Sequence, residues 1–171
     1  MRAKRTFILA VMIPLAILIA LTLKPAATVF LGEEILLETK AYDPTDLFRG
    51  DYVAINLKIS DIPKALLSIP SEEVNQNTAV YVGLKPEGKF YTIDKVSLTK
   101  PPTGIYLTGR IGYYNSDSDI LHVNYSLDKY FLKQGTGLAL QEASYQGSLA
   151  ATVKVYKGYG ILTDIAIENS R

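Results

Sequence analysis

The sequence predicts a mainly β protein, in which one N-terminal transmembrane helix is followed by an antiparallel β barrel or sandwich with one short helix. Three observations point there. An uncharged apolar stretch lies near the start. Short segments of alternating apolar and polar residues follow at regular spacing, separated by Pro, Gly, Asn and Asp clusters, the pattern of half-buried strands joined by turns. One run of helix formers, Leu138-Ala139-Leu140-Gln141-Glu142-Ala143, interrupts them.

Thr6 to Leu23 gives 18 residues without a charge, preceded by Arg2, Lys4 and Arg5 and closed by Lys24. A spanning helix needs about 17–25 apolar residues, so the stretch is long enough to cross. Pro14 falls inside it and is expected to kink the helix or to lie beside a neighbour that satisfies the freed carbonyl. A cleaved signal peptide is the competing reading. Its apolar core is shorter, about 7–15 residues, and ends at a small-x-small site, whereas Ala26 and Ala27 stand beside Pro25. The expected organisation is a cytoplasmic stub at 1–5, a transmembrane signal-anchor at 6–23, a juxtamembrane linker at 24–31 and an extracytoplasmic β domain at 32–171. The basic N-terminus sets that orientation at the cell membrane, cytoplasmic side first.

Of the 18 Lys and Arg, three precede the apolar stretch; the remaining 15 face 17 acids, a net charge near −2. That balance gives no electrostatic case for nucleic acid or for an anionic membrane surface. With no cysteine, disulfides, thiolate chemistry, Cys-based zinc sites and iron–sulfur clusters are excluded. The outer domain must therefore rest on its hydrophobic core.

Glu34 to Thr39 reads as the first strand. Tyr52 to Ile59 is the cleanest, with Val53, Ile55, Leu57 and Ile59 on one face and Tyr52, Ala54, Asn56 and Lys58 on the other. Asp61-Ile62-Pro63 breaks it, and Pro63 to Asn77 reads as a loop with room for one helical turn. Thr78 to Leu84 is a strand, Lys85 to Lys89 a hairpin turn built on Pro86 and Gly88, and Phe90 to Thr99 the return. Ile105 to Tyr114 sets Ile105, Leu107 and Ile111 against Tyr106, Thr108 and Arg110. A turn at Asn115 to Asp119 leads to Ile120–Tyr125. Leu149–Lys157 and Gly160–Glu168 form a closing hairpin across Gly158-Tyr159.

The chemically richest stretch is Asp43-Pro44-Thr45-Asp46-Leu47-Phe48-Arg49-Gly50-Asp51-Tyr52. Asp43-Pro44 suits a type I turn, and Gly50 is expected at a backbone conformation other residues avoid. Two functional readings stand beside a structural corner, in which an acid caps backbone amides and Arg49 pairs with a carboxylate. One is a binding site where Asp43, Asp46, Arg49, Gly50, Asp51, Tyr52 and Arg110 converge on a ligand or partner. The other is acid/base catalysis by two carboxylates with separated pKa values.

This stretch resembles the GDYXXLXY family of small membrane-anchored proteins, through Asp43-Pro44-x-Asp46-Leu47-Phe48-Arg49-Gly50-Asp51-Tyr52-Val53. Ile55 and Leu57 stand where that family has Leu and a second Tyr; both stay apolar on the core face. The resemblance continues at Gly32-Glu33-Glu34-Ile35-Leu36-Leu37, at Gly104-Ile105-Tyr106-Leu107-x-Gly109-Arg110 and at Tyr130-Phe131-Leu132-x-x-Gly135-Thr136-Gly137. It implies an extracytoplasmic bacterial envelope domain on a single membrane anchor, with no assigned activity, whose relatives are encoded beside, or fused to, polytopic membrane proteins.

Other patterns carry less. Ser97-x-x-Lys100 has the spacing of serine acyl-transferases, but three residues along a strand put the two on opposite faces. A Ser/Lys dyad from distant strands, as in signal-peptidase-like barrels, lacks a serine before a Met-x-Pro-like segment. His122, the one histidine, lies on the strand face with Ile120 and Asn124 and reads as surface or structural. Asn115 to Asp119 lacks the Gly and closing Glu of a calcium loop. Arg49-Gly50-Asp51 as an integrin tripeptide is a chance match. The twelve tyrosines read as sheet decoration, with an aromatic partner surface as the alternative. No cofactor or metal is expected.

The leading functional expectation is a non-enzymatic accessory or binding module acting with a polytopic membrane protein or an envelope ligand. The alternative is a carboxylate- or Ser/Lys-dependent hydrolase or transferase at the outer face of the membrane. A structural or assembly factor of the envelope is the third.

Overall fold

The computed structural model describes residues 2–40, 52–68, 75–115, 118–131 and 149–168. One helix, α1 (Arg2–Leu31), precedes ten strands. They are β1 (Glu33–Glu38), β2 (Tyr52–Ala54), β3 (Asp61–Pro63), β4 (Ala79–Glu87), β5 (Phe90–Ser97), β6 (Ile105–Asn115), β7 (Ile120–Asn124), β8 (Lys129–Phe131), β9 (Leu149–Tyr156) and β10 (Tyr159–Ile167). The expected run of helix formers at 138–143 lies outside the described residues.

α1 has 30 residues and is therefore about 45 Å long. Its segment Ala10–Leu31 is long and apolar enough to cross a membrane. Pro14 and Pro25 both sit inside it. Residues 24–31, expected as a linker, continue the helix instead. Ala26 and Ala27 favour helix, and Thr28 is fully buried where the last turns meet the β domain. Lys154 Nζ donates to the Val29 carbonyl at 2.9 Å. The turn into β1 is closed by Gly32 N–H donating to Thr28 O at 2.9 Å.

The strands form three antiparallel ladders, in the orders β1-β9-β10, β2-β8 and β3-β7-β6-β4-β5. None closes on itself into a barrel among the described residues, whose packing fits the expected sandwich. The inward faces share one core. Ile35 and Leu37 from β1, Val80 and Val82 from β4, Leu107 and Ile111 from β6, Leu121 and Val123 from β7, and Val153 from β9 meet there. Each such side chain taken fully from water is worth about 1.5–3 kcal/mol. Two parallel bridges, Leu67 to Val96 and Leu107 to Gly158, tie segments across the ladders.

Several expectations for the strands change, and Asp61–Pro63, read as a break, is itself the strand β3. The strand read at 52–59 is a strand only over Tyr52–Ala54. Beyond it Ile55 N–H still donates to Asp128 O at 2.9 Å, one further step of the β2–β8 register, while Asn56 O accepts from Lys40 N at 2.7 Å on the opposite side. Leu57 then makes an isolated bridge to Thr39, and Lys58–Ser60 closes as a 3-10 turn. The alternation still holds, since Ile55, Leu57 and Ile59 are buried. The hairpin at 85–89 tightens to Gly88-Lys89, and Pro86 stays in β4 opposite Tyr91. It is tolerated there because pairing of β4 with β6 ends at Leu84, so no partner needs its missing N–H. Tyr106, expected outward, is buried, because the β9–β10 tip covers it. That tip turns at Lys157-Gly158, not Gly158-Tyr159: Tyr156 pairs with Tyr159, and both loop residues have positive φ, 49° and 81°, as a two-residue type I′ hairpin requires.

Candidate functional site

Of the expected site residues, Asp43, Asp46, Arg49, Gly50 and Asp51 lie outside the described residues. Tyr52 opens β2 opposite Phe131. Arg110 points outward from β6, and its Nη1 donates to the Asn77 carbonyl at 2.9 Å. The chain enters the 41–51 segment at a fixed point. Thr39 bridges Leu57, Thr39 Oγ1 donates to Leu149 O at 2.8 Å, and the Lys40 amide is held by Asn56.

Beside that point the fold gathers four side chains from distant segments. Asp61 opens β3 and stands in register with His122 in the middle of β7. Directly paired residues share a face, and Asp61 Oδ1 lies 2.8 Å from His122 Nδ1. Lys40 Nζ contacts the other oxygen, Asp61 Oδ2. On the far side, the β6–β7 pairing skips Gly112, so Tyr113 and not Gly112 stands opposite His122. That bulge, which re-aims a side chain as bulges do, stacks the Tyr113 ring on the imidazole with centroids 4.9 Å apart and planes at 14°.

The electrostatics follow from burial and charge. Desolvation pulls His122 below the ordinary imidazole range, and the nearby Lys40 cation adds to it. Burial likewise lowers Lys40, with Lys58 contributing; Lys58 itself pairs with Glu38. The Asp61 carboxylate is thus balanced by Lys40, and the imidazole stays neutral near pH 7. A carboxylate only accepts, so Nδ1–H donates to Asp61 and Nε2 keeps its lone pair. A neutral imidazole oriented through Nδ1 is suited to accept a proton or a ligand hydrogen bond at Nε2.

His122 lines a shallow cavity of about 250 Å³ together with Asn56, Ser60, Asn124 and Asp128. Ser60 is not hydrogen-bonded to His122, so the described residues do not assemble a nucleophile and base. Behind the cavity, the Tyr125 hydroxyl donates to Ile59 O at 2.9 Å, and burial pushes its phenol far up. The weaker sequence candidates do not converge. Ser97 Oγ donates to Thr99 O at 2.7 Å, whereas Lys100 lies over the Tyr106 ring. Asp119 pairs with Lys64 and accepts from the Tyr114 hydroxyl, turning outward from the 115–119 turn. No group of three or more Asp, Glu or His able to hold a metal occurs among the described residues.

Local patterning signals only one member of this array, the outward face of His122. Asp61 reads as a strand breaker and Lys40 falls just past the first strand; the register of β3 on β7 brings Asp61 to His122, and Lys40 reaches Asp61 from the end of β1.

Fold and site define a class: an antiparallel β domain carried on an N-terminal apolar helix, with an outward Lys–Asp–His array beside the entry to its acid-rich segment. The chain belongs to the GDYXXLXY protein family, whose model matches residues 14–165. No curated protein and no solved structure matches it.

Proposed function

We propose that the protein is a membrane-anchored extracytoplasmic binding module, non-enzymatic, that works with a polytopic membrane protein or an envelope ligand. The observation that carries this reading is the joint between helix and domain. α1 runs without a break into the β domain and is clamped by buried Thr28, the Lys154–Val29 contact and the Gly32 turn. A rigid stalk holds the domain at a fixed height over the bilayer, which suits docking on another membrane protein. Residues 6–23 cross the membrane in this reading, 1–5 stay in the cytoplasm, and 32–171 lie outside. Asp43, Asp46, Arg49, Gly50, Asp51, Tyr52 and Arg110 supply the contact residues in this reading.

The test is cross-linking in native membranes with a tagged full chain, followed by purification. The reading expects a polytopic protein to be recovered, and recovery to drop when a short Gly-Ser segment is inserted after Gly32. Recovery of no such protein, or equal recovery with the flexible insert, overturns it.

A second reading, hydrolysis at the outer face, draws on the Asp61–His122 pair. Turnover of chromogenic esters or phosphodiesters that His122→Gln abolishes would support it; a wild-type chain without turnover on either class discards it.

A further inference from the structure

A second cavity lies on the side of the domain nearest the membrane helix. It is a groove of about 440 Å³ lined by Lys24, Asn77, Arg110, Tyr125, Ser126 and Tyr159, a size in the range of small-ligand sites. Lys24 belongs to α1, Arg110 to β6 and Tyr159 to β10, so the groove exists only because the helix docks on the β9–β10 tip.

Its chemistry is cationic. Lys24 Nζ sits 4.6 Å above the Tyr159 ring, and Arg110 is oriented by its bond to the Asn77 carbonyl. Among the described residues neither cation is paired with a carboxylate, and no described lining residue is acidic. A guanidinium carries five N–H donors, and this one spends Nη1 on Asn77, leaving a donor set suited to bidentate contact with phosphate oxygens.

The backbone around the groove is also unusual. Of the four non-glycine residues at positive φ among the described residues, Asn77 at 66° and Ser126 at 58° line the groove. Such conformations persist where surrounding structure holds them, and they gather at ligand sites. The height of the groove fits as well. Lys24 is the first charge after the apolar stretch, where a spanning helix meets the head-group layer.

We propose that this groove binds a phosphate-bearing anion, supplied there by the head group of an anionic lipid in the bilayer that α1 crosses. The proposal rests on α1 crossing a bilayer and not on any protein partner.

The test uses the full chain purified in a neutral detergent, with bound lipid counted by native mass spectrometry. Phosphatidylglycerol, phosphatidylcholine and inorganic phosphate serve as separate probes. The expected result is retention of phosphatidylglycerol over phosphatidylcholine, weakened about tenfold by Arg110→Gln and by Lys24→Gln and partly rescued in Arg110→Lys. Lys64→Gln, an exposed cation elsewhere, should change nothing. Arg110→Gln leaves the helix untouched, so a change in lipid retention with an unaltered thermal midpoint cannot come from misfolding. Arg110-dependent binding of inorganic phosphate without lipid preference overturns the lipid source and assigns a soluble phosphate ligand. Retention equal to wild type in both Gln variants overturns the site.

Discussion

The ring of Tyr106 fills the space into which a side chain at Gly158 would grow. A Cβ on Gly158 would stand 2.3 Å from Tyr106 Cε2 and 2.6 Å from Thr108 Oγ1. The Gly158 carbonyl meanwhile accepts the Thr108 amide at 2.8 Å. The tip of the β9–β10 hairpin is thereby fastened to the longest strand, β6, and two of the three ladders are joined at one residue.

Gly158→Ala is expected to destabilise the chain more than Gly88→Ala. Both positions have positive φ, 81° and 62°, but a Cβ at Gly88 meets nothing within 4 Å. Backbone strain alone costs about 1–3 kcal/mol; the overpacking against Tyr106 adds about 1–3 kcal/mol. Thermal midpoints of the two variants measure the difference, and equal losses would remove the packing argument.

Asp61→Ala strips the shared acceptor from Lys40 and His122. The loss expected is about 1–3 kcal/mol, the usual penalty for stranding partly buried polar groups. A double-mutant cycle of Asp61→Ala with His122→Ala should show coupling, and simple additivity would mean that the 2.8 Å contact contributes nothing.

Acid should weaken the fold through His122. Its native pKa lies below the unfolded value of 6.5, so the unfolded chain binds more protons between the two values and stability rises with pH there. The contribution is complete above about 6.5 and is lost as the pH falls from there through the lower native value. Melting the wild type and His122→Gln at about pH 7.5 and about pH 5.5 should give a smaller acid-induced drop in the variant. An identical drop would place the pH dependence elsewhere.

Tyr125→Phe leaves the Ile59 carbonyl without its 2.9 Å donor. The cost expected is about 1 kcal/mol, a fall of about 2–4 °C in midpoint for a chain of this size.

Gly32→Val should loosen the joint between helix and domain. A Cβ there would stand 2.2 Å from Thr28 O and 3.3 Å from Lys154 Cβ. The chain has no cysteine, so spin labels at Leu21→Cys and Glu87→Cys report one distance. A sharp distribution that broadens in the valine variant is the expected outcome; an unchanged distribution would show that the joint does not depend on Gly32.

The strands were legible because alternation is local. Val80, Val82, Leu121 and Val123 are placed inside by period alone, and all four are fully buried. What was not legible depends on which strand lies beside which. Tyr106 alternates as an outward residue, and only the hairpin tip laid over it makes it core. The Tyr52–Ile59 run alternates cleanly yet turns from Asp128 at Ile55 to Thr39 at Leu57. Lys40, Asp61 and His122 are separated by 21 and 61 residues along the chain, and no local pattern signals their meeting. Arg110 was marked by the family resemblance, but its groove neighbour Lys24 read only as the end of an apolar stretch.

The unbroken passage from α1 into β1 makes the helix and the domain one lever. A helix whose apolar length exceeds the local hydrocarbon thickness adjusts by tilting. In the proposed reading, with only Gly32 between Leu31 and Glu33, tilt of the helix would carry the β domain with it. In a thinner bilayer the Lys40–Asp61–His122 face and the Arg110 groove would sit at altered heights and angles over the lipid. In the membrane-anchored reading proposed above, the orientation of the two surfaces would follow membrane thickness through a joint one glycine wide.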